Sequence, residues 1–307
     1  MTAPDHIHYT IYQPPGTAIK AAVLILHGMQ EHSGRYESFA NYLKMHGYAV
    51  LTYDHIGHGH TAKATAELGF FRRDDPGGRL MEDAERMLHF MTQRFAGEKL
   101  VLMGHSMGSF IARLLLKRFP QYFAGAILMG TGGPNPLAAL FRPVLAMANL
   151  IAPRRRSKQL NELFLQINNR KFRHENPVDG TNWLSADLAN RKAFLHDELC
   201  GVNFSNNAFF GLISINVEAT KSKWAENLSK NMPLLFVSGA NDPIGDFGKG
   251  VVKTVQALRK CGFERVELKL YSGMRHEVLN EGDRKLVFDD IVAWLDKTAV
   301  RSPQPKE

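Results

Sequence analysis

Short runs of consecutive apolar residues recur along this chain, each followed by a stretch of helical periodicity, and this alternation constrains its fold more than any other feature. The runs predict strands at about 6–12, 20–26 (KAAVLIL), 48–53 (YAVLTY), 99–104, 123–129, 233–238 (PLLFVS) and 265–271. Helical patterns lie near 35–47, 79–95, 107–119 and 246–260, with a last one near 283–298. A strand that is apolar on both faces must be covered on both, and strands separated by helices pair in parallel. The chain therefore reads as an α/β protein with a doubly wound, mostly parallel sheet. At 307 residues, 44% hydrophobic and 22% charged, it is long enough for one large domain or one carrying an insertion, and its composition excludes a disordered or collagen-like chain.

The alternation lapses once. From 134 to 228 there is no convincing buried strand, while Pro134, Pro136, Pro143, Pro153 and Pro177 punctuate helical fragments. We read a core of 1–133 and 229–307, with a helical cap of 134–228 inserted between the fourth and fifth parallel strands. Such a cap sits over the carboxyl edge of the sheet, where α/β proteins form ligand sites. The net charge of +8 concentrates in the first part of the cap: over residues 142–173, Arg142, Arg154, Arg155, Arg156, Lys158, Arg170, Lys171 and Arg173 are set against the single acid Glu162. A patch so local suits an anionic lipid surface, an anionic substrate or a solvated helix face, and argues against a nucleic-acid partner followed along its phosphates.

Cys200 and Cys261 are not in a C-x-x-C pair, so they build neither a disulfide framework nor a structural zinc site and are expected as buried small hydrophobes. No stretch approaches the roughly 18–20 apolar residues of a spanning helix, and Met1 to His6 lacks the regions of a signal peptide, which points to a cytoplasmic protein. The tail Arg301–Glu307 is expected to fray.

The chemistry starts at GHSMG, residues 104–108. The G-x-S-x-G pattern is weak alone, but here it directly follows the apolar run LVLM (100–103) and opens the helical pattern SFIARLLL (109–116). A serine on so sharp a strand-to-helix turn needs small neighbours, and the turn lifts its hydroxyl above the sheet. The helix start adds free N–H groups and a positive dipole end. A plain helix N-cap would use the same residue type.

A serine hydroxyl is a poor nucleophile near neutral pH, so this reading requires a base and a carboxylate to orient it, in the chain order serine, acid, histidine. Asp242 follows the strand ending at Ser238, and His276 follows the strand ending at Tyr271. Asp246 competes with Asp242 but lies near a helix start, where a capping acid is expected. The oxyanion donors are then the backbone N–H groups of Met107 and of Met29, in the turn HGMQ (27–30), where Gly28 lets the backbone come close.

Taken together, HGMQEHSGRY (27–36), DHIGHGH (54–60), GHSMG (104–108), NDP (241–243) and RHE (275–277) resemble the monoacylglycerol lipase and lysophospholipase branch of the serine α/β-hydrolases, over essentially the whole chain. The cap pieces NWLSAD (182–187) and DELCG (197–201), with DPIGDFGKG (242–250), are similar to bacterial members described as lysophospholipase-like. The resemblance implies the α/β-hydrolase fold, Ser106 as nucleophile, Asp242 as acid, His276 as base, oxyanion N–H groups at Met29 and Met107, and no cofactor. Met29 stands where relatives usually carry a small residue, and the cap is less similar to the eukaryotic lipases than the core is.

The implied activity is hydrolysis of a lipid-like ester, monoacylglycerol or lysophospholipid, through an acyl-enzyme. Two alternatives stand beside it. An aminopeptidase or amidase would use the same triad but should offer cap acids to a substrate ammonium, and this cap is basic near its start. A binding protein on the same fold would lack a triad member. His55, His58 and His60 crowd together like metal ligands, yet no second ligand cluster accompanies them, so no metal is expected. The run FRPVLAMANLIA (141–152) is too short to span a bilayer. It reads as a cap helix packed on the core and lining an acyl pocket, with a lipid-facing lid anchored by Arg154–Arg156 as the alternative that allows peripheral contact with an anionic membrane.

Overall fold

The computed structural model describes residues 6–16, 18–72 and 74–299; the start Met1–Asp5 and the tail Arg301–Glu307 lie outside the described residues. Seven strands form one sheet: β1 (Tyr9–Tyr12), β2 (Ala21–Leu26), β3 (Tyr48–Tyr53), β4 (Leu100–His105), β5 (Phe123–Met129), β6 (Leu234–Gly239) and β7 (Val266–Tyr271). Their order is β1-β3-β2-β4-β5-β6-β7; β1 runs antiparallel to β3 and every other pairing is parallel. Helices α1 (Glu37–Met45), α2 (Pro76–Arg94), α3 (Met107–Arg118), α8 (Lys249–Lys260) and α9 (Arg284–Ala299) accompany these strands, and α4 (Pro136–Ile151), α5 (Lys158–Asn168), α6 (Leu188–His196) and α7 (Asn206–Ala219) lie between β5 and β6.

The two-residue repeat of the strands divides the core into two layers. Leu24, Leu102, Leu128 and Phe236 point to one face, where α2, α3 and α8 cover them with Leu80, Ile111, Leu115 and Val251. Val23, Met103, Ile127 and Val237 point to the other, against Phe39 of α1 and Phe288, Ile291 and Leu295 of α9. Each such side chain contributes about 1.5–3 kcal/mol on full burial, which fixes the register of the inner strands and with it the carboxyl edge that carries the site.

The differences from the sequence reading have local causes. β7 is an edge strand whose middle is partly exposed rather than buried on both faces. α2 begins at Pro76, because the Asp75 carboxylate accepts the Gly78 N–H at 3.0 Å and caps the turn. α8 begins at Lys249 rather than 246, because Asp246, Phe247 and Gly248 all have positive φ (51°, 54° and 82°) and cannot continue a right-handed helix. Asp246 is exposed and does not cap α8, whose N-cap is Gly248. Cys200 is buried as expected, but Cys261, at the carboxyl end of α8, is exposed.

The largest correction concerns α4. Its apolar side is not packed on the core: Leu137, Leu140, Phe141, Val144, Met147 and Ile151 are all more than half exposed, and only Ala138 and Leu145 are buried. α4 is held from α7, where Asn206 Nδ2 donates to the Ala152 carbonyl at 2.9 Å and Asn207 Nδ2 to Asn149 Oδ1 at 3.0 Å. The following arginines are not equivalent either. Arg154 lies over the Phe70 ring at 4.1 Å and Arg156 donates to the Leu68 carbonyl at 2.5 Å, whereas the Arg155 side chain is exposed and unpaired among the described residues. No helix among the described residues is long and apolar enough to cross a membrane.

Candidate active site

The carboxyl ends of β2, β4, β6 and β7 supply the site. Ser106 sits between β4 and α3 with φ 52° and ψ −118°, a conformation costly for a residue with a Cβ, and its side chain makes no capping bond to α3. A plain N-cap role is thereby excluded. The two glycines of the motif are required by contact: a Cβ on Gly104 would lie 2.3 Å from the Gly108 carbonyl oxygen, and one on Gly108 would lie 2.1 Å from that of Leu26. β2, β4 and α3 thus meet backbone to backbone, and the turn cannot relax. Ser106 is 6% exposed at the site's floor.

His276 and Asp242 come together as expected. His276 Nδ1 is 2.9 Å from Asp242 Oδ2, and both residues are buried. The other carboxylate oxygen, Asp242 Oδ1, accepts the Ile244 N–H at 2.9 Å, which holds the group in the plane its partner needs. Ser106 approaches the pair through its neighbour His105, whose ring centroid is 4.7 Å from that of His276 and whose Nε2 is 3.2 Å from the His276 carbonyl oxygen. Among the described residues no hydrogen bond joins Ser106 Oγ to His276. Such contacts are often long before substrate binds.

The Met29 and Met107 N–H groups have no acceptor among the described residues, and the Gly28 backbone passes so close to the serine that a Cβ there would be 3.1 Å from Ser106 Cβ. What holds that loop was missed from the sequence. Glu31, fully buried, accepts the Gly28 N–H at 2.6 Å, the Tyr36 hydroxyl at 2.8 Å and His105 Nδ1 at 3.0 Å. Arg35 lies 3.4 Å from its other oxygen and donates to Glu277 at 2.5 Å, and Asn190 of the cap donates to Glu277 at 2.8 Å.

Burial alone would raise the Glu31 pKa, but the hydrogen bond and charge of His105, with the charge of Arg35, hold the carboxyl well below the usual range. Burial would likewise lower His105, and Glu31 reverses this, so His105 is raised. Glu31, His105, Arg35 and Glu277 are therefore one buried network of ionisable side chains, with Gly28 fixed to it. Its sequence signal was an acid and an arginine four residues apart in the HGMQEHSGRY loop.

Residues 175–187 pack on His276 and its neighbours. The Trp183 ring stacks on His276 with centroids 4.9 Å apart, and Glu277 N–H donates to the Leu184 carbonyl at 2.8 Å. Arg275 ion-pairs with Glu175 and donates to the Asn182 carbonyl at 2.5 Å, while Glu281 accepts Ser185 Oγ at 2.8 Å and the Arg275 N–H at 2.9 Å.

The histidine-rich loop is packed rather than gathered around a point. His60 is exposed; His27 and His55 stack at 4.3 Å, and His58 lies against Phe71 and Phe204. Burial pushes all three buried rings below the ordinary histidine value, His58 to about 3. One group, His32, Asp197 and Cys200, has potential ligand atoms within 4.8 Å of one another, but His32 Nε2 is already bonded to Asp197 at 2.8 Å and burial pushes the Cys200 thiol up.

Known proteins resemble this chain over most of its length. A family model described as serine aminopeptidase, S33, matches residues 17–283. A monoglyceride lipase homolog of Monkeypox virus is 29% identical over 294 residues, covering 95% of this chain and 94% of the relative. Human monoglyceride lipase is 27% identical over 291 residues, covering 93% and 85%. Among solved structures, a thermostable carboxyl esterase from Bacillus coagulans superposes with a TM-score of 0.87 at 26% identity, covering 96% of this chain and 94% of that one. The chain thus belongs to the S33 family and is a serine hydrolase with the α/β-hydrolase fold.

Proposed function

We propose that this protein hydrolyses monoacylglycerol-like esters, with Ser106, His276 and Asp242 as its triad. His276 takes the Ser106 proton as Oγ attacks the acyl carbonyl, and the oxyanion is met by the Met29 and Met107 N–H groups. The proton then passes to the departing alcohol, and water, deprotonated by the same imidazole, releases the acid and restores the serine. The observation that carries this reading is the buried Asp242–His276 hydrogen bond beside a serine held at positive φ. The names of the relatives support an ester over an amide substrate. The cap acids Glu175, Asp179 and Asp197 are engaged with Arg275, Arg191 and His32, which leaves none of these three for a substrate ammonium.

Residues 134–228 act as the cap in this reading, and the exposed apolar side of α4 touches the lipid surface from which substrate is drawn. Of the arginines that follow, Arg155 is the one free to meet anionic headgroups. The two unpaired cysteines support a reducing compartment such as the cytoplasm. A panel of monoacylglycerols, lysophospholipids and aminoacyl amides, each over a range of acyl or side-chain length, tests the assignment. Turnover should be fastest on a monoacylglycerol and absent on the amides; faster cleavage of an amide would replace the ester reading by the peptidase one.

A further inference from the structure

Two turns along α3 from the serine, Arg113 is 1% exposed, and among the described residues no carboxylate pairs with it. Its Nη2 donates to Thr131 Oγ1 at 2.8 Å, its Nη1 reaches the Ala219 carbonyl only at 3.5 Å, and its Nε has no acceptor. The Trp224 ring lies 5.1 Å from the guanidinium carbon, and the rings of Phe110 and Phe236 lie 5.9 Å from it. A cation so buried, with donors to spare and no counter-charge, is costly to the fold, and burial lowers its pKa to about 9.

The same arginine lines a cavity of about 480 Å³ between the 220–226 segment and α8, within the range of roughly 300–1,000 Å³ of small-molecule sites. The residues around Ser106, His276 and Met29 do not line it, so it is not the acyl site. Trp224, Leu258 and Phe263 give it an apolar wall. Lys223 and Lys253, exposed and without ion pairs among the described residues, stand at its edge, and its one acid, Glu226, faces Lys117 at 3.6 Å.

We propose that this cavity is a binding site for a medium-chain alkyl carboxylate, whose head group is held by Arg113 and whose chain lies on the apolar wall. A carboxylate supplies the acceptor that Nε lacks, a closer one than Nη1 has in the Ala219 carbonyl, and the charge that the buried guanidinium lacks. The edge lysines raise the local concentration of anions without touching the head group. Nothing in this site depends on the ester-hydrolase reading.

Cys261 reports on the site, because it lines the cavity and is exposed while Cys200 is buried. The rate of Cys261 alkylation by N-ethylmaleimide is measured in the full chain during titration with decanoate below its micellar concentration, with decanol and acetate as controls. Saturating decanoate should slow alkylation severalfold, with little effect of either control. Arg113→Met removes the charge while keeping the bulk, and should raise the half-protecting concentration about tenfold or more. Lys223→Gln with Lys253→Gln, both on the surface and safe for folding, should raise it a fewfold, an effect that salt erases. Alkylation indifferent to decanoate overturns the proposal, as does equal protection by decanol, or protection unchanged in both variants.

Discussion

Helices α3 and α4 are both largely apolar, yet one is engulfed and the other leaves its apolar side in solvent. Every residue of α3 from Met107 to Leu116 is buried, whereas α4, longer by four residues, buries only Ala138 and Leu145. α3 lies against β2, β4 and β5 on one side and against α2 and α7 on the other; the main neighbour of α4 is α7. The apolar content of a helix states how much surface should leave water, but the covering partner comes from topology. Among the described residues, nothing covers the exposed side of α4.

The contrast can be broken first at the start of α3. Ser106→Ala should abolish ester hydrolysis, with a loss on the order of 10⁶ in kcat and an unchanged thermal transition, and a fluorophosphonate probe should label the wild type and not the variant. Residual turnover near wild type would move the nucleophile elsewhere. Next, Asp242→Asn should keep the backbone and lose roughly 10⁴ in kcat, because His276 then holds the wrong tautomer. Asp246→Asn, at an exposed residue with no contact to His276, should leave kcat within a few-fold; the reverse order would assign the wrong carboxylate.

The two helices are then compared directly. Ile111→Ala in α3 should cost about 2–5 kcal/mol in urea unfolding, since it opens a void in a fully covered layer. The combined change Leu140→Gln, Phe141→Gln and Val144→Gln in α4 should cost little, since surface replacements stay within about 0.5 kcal/mol each. It should nevertheless weaken vesicle binding and slow hydrolysis of emulsified substrate by tenfold or more, while a short water-soluble ester is cleaved as before. A large stability loss from the α4 change would mean that this face is covered after all.

The smallest effect concerns acid. His27, His55 and His58 have folded pKa values lowered by burial, so the unfolded chain takes up protons that the folded one refuses, and stability falls as pH drops below about 6.5. His105 opposes this, because its raised value adds stability below the unfolded value that is lost as pH rises through the folded one. Three sites outweigh one, and the urea-unfolding free energy should fall as the pH is lowered from 7 to 5. A flat or rising profile would show that the buried histidines do not act this way.

The core was legible because its inner strands are apolar on both faces, and Ser106, Asp242 and His276, proposed as the triad, were each singled out from their place after a strand. The oxyanion loop was legible only in part. Its glycine and Met29 follow β2 visibly, but Glu31, Arg35 and Glu277 are charged residues in loops, which sequence alone assigns to solvent; their burial follows from contacts between segments more than two hundred residues apart. The cap was read least well. The exposure of α4, the divided roles of Arg154, Arg155 and Arg156, and the open position of Cys261 depend on which element lies next to which, and no periodicity records that.

The bracket around His276 sets how firmly the two ends of the 134–228 insertion are tied to the sheet. Arg275 on one side and Glu281 on the other both grip residues 175–187, and Trp183 from the same stretch rests on the imidazole. If that stretch moved away, the proposed base would lose its aromatic neighbour and its loop would be pulled from both sides. α4, at the other end of this insertion, is held by amide side chains of α7, with Arg154 and Arg156 anchoring the residues that follow it. The two ends of this insertion are thereby coupled unequally to His276: a displacement of 175–187 reaches the imidazole directly, and a displacement of α4 does not.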